Sequence, residues 1–249
     1  MIDKLFLLKL LQLLRNMNVT TGLTKLQKLV FLAERAAILE ETECFHYTYV
    51  KAKHGPYSVA LEKDRTMLVV QGYLEIVPQQ EGPGEFVQLS EKGEDALKLF
   101  GPLFERNKNQ VLTLENVVRE FGTKALRDLL DNVYNLPARL RGQEGKKIAD
   151  LPMRSPVLIP YKTRFEEKIK VTDEELEVMM VVLDPATKKF WPKKVKGREA
   201  ILYKVRGSRY FSVVISGLPG CMTHGLTKKE ALNNAEEAIE LYLSEAVNR

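Results

Sequence analysis

The sequence predicts an α+β protein of two domains, and three observations carry that reading. Its 249 residues are 45% hydrophobic and 29% charged, a globular composition that excludes collagen-like, mucin-like and wholly disordered chains. Helical periodicity dominates the early chain, whereas residues 201–205 and 210–215 are β-branched and aromatic runs ahead of a patterned terminal helix. Between them, Gly142, Gly145, Pro152, Pro156 and Pro160 break any period. The expected boundaries are 1–140 for a first domain, 141–175 for a connector strapped in part to the surface, and 176–249 for a second domain.

Leu5, Leu8, Leu11 and Leu14, with Phe6, Leu7, Leu10 and Leu13 beside them, mark a first helix apolar round most of its surface. A second helix from about Thr24 repeats apolar residues at Leu26, Leu29, Val30, Ala33, Ala37 and Ile38. Residues 45–50 alternate as a short strand, and Gly55-Pro56 reads as a turn. Ser58 caps a third helix that stops at Gly72. Residues 73–77 and 86–89 form a hairpin through Gly82-Pro83-Gly84, and Ser90 opens another helix. This order is that of a winged helix-turn-helix with added helices. Thr113 and Thr123 look like caps of two helices that meet near Gly122.

In the second domain, residues 176–183 suit either a strand or a short helix. Two strands, 201–205 and 210–215, flank the turn Arg206-Gly207-Ser208-Arg209. Thr227-Lys228-Lys229-Glu230 has the form of a capping box, with the Glu reaching back to the cap residue's own N–H. Behind it Ala231, Leu232, Ala235, Ala238, Ile239, Tyr242 and Leu243 make one apolar stripe that must lie on the sheet.

Residues 210–243, YFSVVISGLPGCMTHGLTKKEALNNAEEAIELYL, resemble the HicB family of antitoxins in their strand, Leu-Pro-Gly-Cys turn and helix with Glu-Ala and Glu-Glu-Ala-Ile. The resemblance implies a small, partial RNase H-like domain that neutralises a ribonuclease toxin, joined to a DNA-binding domain that represses its own operon. It also implies a homodimer, whose operator half-sites would lie about one helical turn or a multiple apart. One departure is that no acidic residue lies between Glu199 and Glu230, which weakens the expected complementarity to a basic toxin. A second likeness lies in residues 25–32, KLQKLVFL, with Tyr49, His54-Gly55-Pro56-Tyr57-Ser58 and Gly72-Tyr73-Leu74. It is similar to the YwgA and SocA/Panacea group of winged-helix-like regulators and neutralising adaptors.

Net charge is +5, and the excess sits in residues 111–200, with 18 Lys+Arg against 14 Asp+Glu. Phosphate binding needs cations on one face. Tyr57, Ser58, Lys63 and Arg65 are the candidates on the third helix, where Glu62 and Asp64 oppose them and the wing carries Glu81 and Glu85. The richest basic patch is Lys188, Lys189, Lys193, Lys194, Lys196 and Arg198 around Phe190 and Trp191, a pattern that suits a nucleic-acid backbone with base stacking. The alternative there is a solvated hairpin with Trp191 in the core.

Cys44-Phe45-His46 and Cys221-Met222-Thr223-His224 lack finger spacing, so no metal and no cofactor is expected. The strands lack the converging carboxylates of a metal-dependent nuclease, and no G-x-S-x-G, Walker A or H-E-x-x-H pattern occurs. Three histidines, His46, His54 and His224, fit no triad. No apolar run is long enough for a membrane span, no signal peptide is read, and two distant cysteines fit the reducing cytoplasm. The expectation is a non-enzymatic antitoxin-like regulator that binds a small toxin protein through its C-terminal domain, and operator DNA or a second protein through its N-terminal domain. Two other classes stay open: an RNA-binding or assembly adaptor using residues 188–198, and an uncharacterised nuclease.

Overall fold

The computed structural model describes residues 1–78, 85–138, 143, 145–159 and 167–247, with side chains through 244 in the last helix. It is mixed α+β and divides into two compact units, Ile2–Lys170 and Val171–Arg249. The expected turn Gly82-Pro83-Gly84, the wing residue Glu81, and Gly142 and Pro160 lie outside the described residues.

In the first unit, α1 (Ile2–Asn16) buries Leu5, Phe6, Leu7, Leu8, Leu10, Leu11 and Leu14, so it runs through the core. Two residues, β1 (Thr21–Gly22), lead into α2 (Leu23–Leu39). Then follow β2 (Tyr49–Ala52), β3 (Gly55–Tyr57), α3 (Val59–Val70), β4 (Leu74–Val77) and β5 (Phe86–Leu89). β5 lies between β1 and β4 in an antiparallel sheet, with Thr21 opposite Val87 and Leu74 opposite Leu89. Helices α4 (Glu91–Leu99), α5 (Gly101–Arg106), α6 (Lys108–Phe121) and α7 (Leu126–Asn135) complete the helical part. Ser58 and Ser90 cap α3 and α4 through their hydroxyls, and Gly72 adopts a φ of 78° after α3.

Three expectations change here. The strand expected over residues 45–50 starts only at Tyr49, because Phe45 and Tyr47 stack on each other at 5.7 Å and fill the core without pairing. Gly55-Pro56 belongs to β3, and the reversal falls on Lys53-His54, with Gly55 at a φ of 85°. Thr113 lies inside α6, its hydroxyl bonded to Glu40 at 2.8 Å and to the Asn109 carbonyl, and α7 starts after Ala125 rather than Thr123.

The described residues of the expected connector up to Lys170 are built into this unit. Ile148, Leu151, Val157 and Leu158 are buried, and β6 (Pro156–Leu158) pairs with β2 to give the order β3-β2-β6. Lys51 Nζ donates to the Leu151 carbonyl at 2.6 Å and also to that of Ala149. Farther on, Glu43 N–H donates to the Glu167 carbonyl, and Asn107 exchanges two side-chain hydrogen bonds with the Lys170 backbone. Buried apolar side chains and paired backbone are the marks of a domain interior, not of a linker.

The second unit opens with α8 (Asp173–Val182), which resolves the ambiguous run 176–183 as helix. Its capping box joins Thr172 and Glu175. β7 (Thr187–Val195), β8 (Arg198–Val205), β9 (Phe211–Ile215) and β10 (Met222–Gly225) form an antiparallel meander, ordered β10-β9-β8-β7, and α9 (Lys228–Val247) follows. Lys196 and Gly197 both take positive φ, 48° and 78°, as a two-residue hairpin turn requires. Ala231, Ala235 and Ile239 of α9 pack on Ala200, Leu202, Val213 and Ile215, placing the helix stripe on the sheet. The cap departs from its expected form: Thr227 Oγ1 accepts from Glu230 N–H, but Glu230 accepts from Leu226 N–H, one residue before the cap.

Candidate functional site

The four candidates around the third helix do not share an exposed face. Ser58 is buried, its hydroxyl accepting from Leu61 N–H and its backbone held by Gln27. Arg65 is 6% exposed and its guanidinium turns back to the Glu85 carboxylate at 3.4 Å and to the Glu85 carbonyl. The Tyr57 hydroxyl donates to the Glu62 carboxylate; burial, and then that acceptor, push its pKa up to about 12. Lys63 alone of the four is exposed. Around it α3 shows Val59 and Val70, 69% and 57% exposed, so its outer face is more apolar than cationic. A phosphate backbone needs the opposite balance.

The two segments of the second sequence likeness meet in this unit. The Gln27 side chain exchanges two hydrogen bonds with the Ser58 backbone, and Lys28 Nζ donates to the Pro56 carbonyl at 2.7 Å. Lys28 is 1% exposed, and burial pulls its pKa from 10.5 down to about 8. Beside it lies a cavity of about 220 Å³ between the start of α2 and the β2–β3 turn. The sequence reading quoted Gln27 and Lys28 only as motif letters. Lys28 lies on the side of α2 opposite the stripe of Leu26, Leu29, Val30 and Ala33, and it is buried because α2 is enclosed on every side from Leu26 to Arg35, which the periodicity does not signal.

The basic patch is divided by its own strand. Strand alternation and the register Trp191 opposite Leu202 put Lys189, Trp191 and Lys193 on the face that α9 covers and Lys194 on the other. Lys194 pairs with Glu199 at 3.2 Å and Lys196 with Glu240. Lys188, Lys189 and Lys193 are exposed, and Arg198 is half-buried. Trp191 packs against the α9 core with the Lys228 ammonium 3.6 Å from its ring centre and Phe211 at 6.2 Å. Lys204 in turn lies over Phe211 at 4.2 Å. The indole is thus already faced by a cation. Lys204 and Lys228 escaped the sequence reading because their partners come from other strands.

Neither cysteine pair builds a metal site. Cys44 is buried, its thiol pushed up foremost by burial, while His46 lies between Asp3 and Glu43 at 2.8 and 3.1 Å. Cys221 belongs to the core under α9, and the His224 ring meets Tyr210 edge-on at 5.1 Å. Among the described residues, no group of three or more His, Cys, Asp or Glu side chains is placed to hold a metal ion, and no helix is long and apolar enough to cross a membrane. One buried acid escaped the sequence reading: Glu34 is 0% exposed, and burial raises its pKa well above the usual carboxylate range.

No protein-family model matches the chain. A 34-residue stretch is 56% identical to the UPF0150 protein Ta0767 of Thermoplasma acidophilum; it is 14% of this chain and spans about half, 49%, of that protein. A match of this identity supports a HicB-like region within the chain.

Proposed function

We propose that the protein is a non-enzymatic, antitoxin-like regulator of the cytoplasm that acts as a homodimer and holds a small toxin-like protein through its second unit. The HicB-like region is the observation that carries this reading. The strands of this unit carry only Glu199, which is paired with Lys194, and α9 offsets this with exposed Glu236 and Glu237 beside Glu240, itself paired with Lys196, an acidic edge suited to a cationic partner. The order β1, α2, α3, β4, β5, with β1 paired to β5, supports a winged-helix-like first unit. Because Ser58 and Arg65 are turned inward and Val59 and Val70 outward, its favoured ligand is a second protein, with operator DNA the competing one. The exposed Lys188, Lys189 and Lys193 support the adaptor reading, in which RNA replaces the toxin.

The test is co-expression of the full chain with the product of a small adjacent reading frame. Relief of growth arrest and a complex that co-purifies are expected. Arrest that proceeds equally with and without the chain removes the antitoxin reading. Purified protein with magnesium or manganese is expected to leave RNA and DNA intact; cleavage lost on one carboxylate substitution overturns the non-enzymatic part.

A further inference from the structure

A buried lysine ordinarily faces a carboxylate. Lys28 does not: its one hydrogen bond among the described residues goes to the neutral Pro56 carbonyl, and an ammonium has three N–H groups to satisfy. The Gln27 amide, which also lines the cavity, is engaged at both ends by Ser58. Lys28 lines the cavity of about 220 Å³, whose other walls include Leu23, Ala52, Gly55 and Tyr57 and the exposed turn residues Lys53 and His54, and none of its described lining residues is acidic. Gly55 turns the chain beside Lys28 at a φ of 85°, which excludes most side chains.

We propose that this cavity binds a carboxylate carried on a compact apolar body, with the Lys28 ammonium as its counter-ion. The volume exceeds the roughly 150 Å³ that admits benzene and falls short of the roughly 300 Å³ at which drug-sized pockets begin. It therefore suits a body near the size of one amino-acid side chain. Lys28 is the buried cation of this lining and Lys53 is exposed to water, a balance that matches a monoanion. A phosphate group is held by several donors converging from a backbone nest or an arginine fork, and neither lines this cavity. The source is either a free acid or the terminal residue of a peptide, and the chemistry recognised is the same.

The experiment titrates the full chain, with the Lys28 side chain carbon-13 labelled, against 4-methylpentanoate, 4-methylpentanamide and the tripeptide Gly-Gly-Leu as its free acid. Saturable binding of at least one acid is expected, with an upward shift in the titration of the Lys28 amine, and with the amide at least tenfold weaker. Binding by both acids places the source in either class, and binding by one alone identifies it. Lys28→Met is expected to weaken the acid at least tenfold. Ala52→Phe, which leaves the amine and fills the cavity, is expected to abolish binding and keeps the test decisive if Lys28→Met does not fold. The proposal is overturned if neither acid binds, if the amide binds as tightly as its acid, or if Ala52→Phe binds like the unsubstituted chain.

Discussion

Gln27 and Ser58 hold each other by two hydrogen bonds: the Gln27 amide donates to the Ser58 carbonyl at 2.8 Å, and Ser58 N–H donates to Gln27 Oε1 at 2.9 Å. Both residues are buried, so α2 is tied to the start of α3 through the interior. Gln27→Ala leaves the buried Ser58 N–H unpaired, at about 1 to 3 kcal/mol, while the Ser58 carbonyl keeps its bond from Glu62 N–H. A loss of about 1 to 3 kcal/mol in chemical denaturation is expected. A change below about 1 kcal/mol would show that the tie is not needed.

Two groups of the first unit give its stability opposite pH dependences. Lys28 titrates at about 8 when folded and near 10.5 when not, because burial disfavours its charge. The unfolded chain binds more protons between those values, so this group makes stability rise with pH from about 8 to 10.5, by roughly 3 kcal/mol. His46 is raised from 6.5 to about 9, first by its hydrogen bond to Asp3 and, against some burial, by the charges of Asp3 and Glu43. Its contribution is complete below pH 6.5 and is lost as pH climbs through 9. Stability measured from pH 6 to 11 is expected to lose its upward limb in Lys28→Met and its decline before pH 9 in His46→Gln. A Lys28→Met profile parallel to that of the parent chain refutes the first assignment.

The divided basic hairpin makes a prediction about salt. Lys194 and Lys196 are paired with Glu199 and Glu240, and Lys193 shares the opposite face with Trp191. Replacing Lys193, Lys194 and Lys196 with Gln is therefore expected to change the slope of log K against log salt for RNA by less than about 1, where three phosphate contacts would contribute roughly 2 to 3. A change of that larger size restores the hairpin as a nucleic-acid surface and favours the adaptor reading.

What could be read ahead of the structure was local chemistry. Ser58, Ser90 and Gly72 act within one helical turn of themselves, so their roles follow from neighbouring letters. Thr113 misled because a threonine can equally serve inside a helix when its hydroxyl has a partner, and that partner, Glu40, is 73 residues away. The connector misled for the same reason: its prolines do break helical periodicity, but β6 gains its order from β2. The candidate sites divided along this line too. Lys63 is exposed as its sequence position suggests, while Arg65, two residues on, is claimed by Glu85 just ahead of β5. Lys28 became legible only once Pro56 and Gly55 lay beside it.

The last prediction concerns how α9 is docked, since the acidic face offered to a partner depends on which side meets the sheet. Ile239 is 1% exposed within the core beneath the helix, so Ile239→Ala removes packed atoms and is expected to cost about 2 to 5 kcal/mol. Thr227→Ala loses the bond to Glu230 N–H at 3.1 Å and is expected to cost about 1 kcal/mol. Glu236 is exposed, and Glu236→Ala is expected to stay within about 0.5 kcal/mol. Thermal melts of the three full-length variants rank them. If Glu236→Ala proves as damaging as Ile239→Ala, the helix meets the sheet by another side, and Glu236 and Glu237 can no longer be the acids presented to a cationic protein.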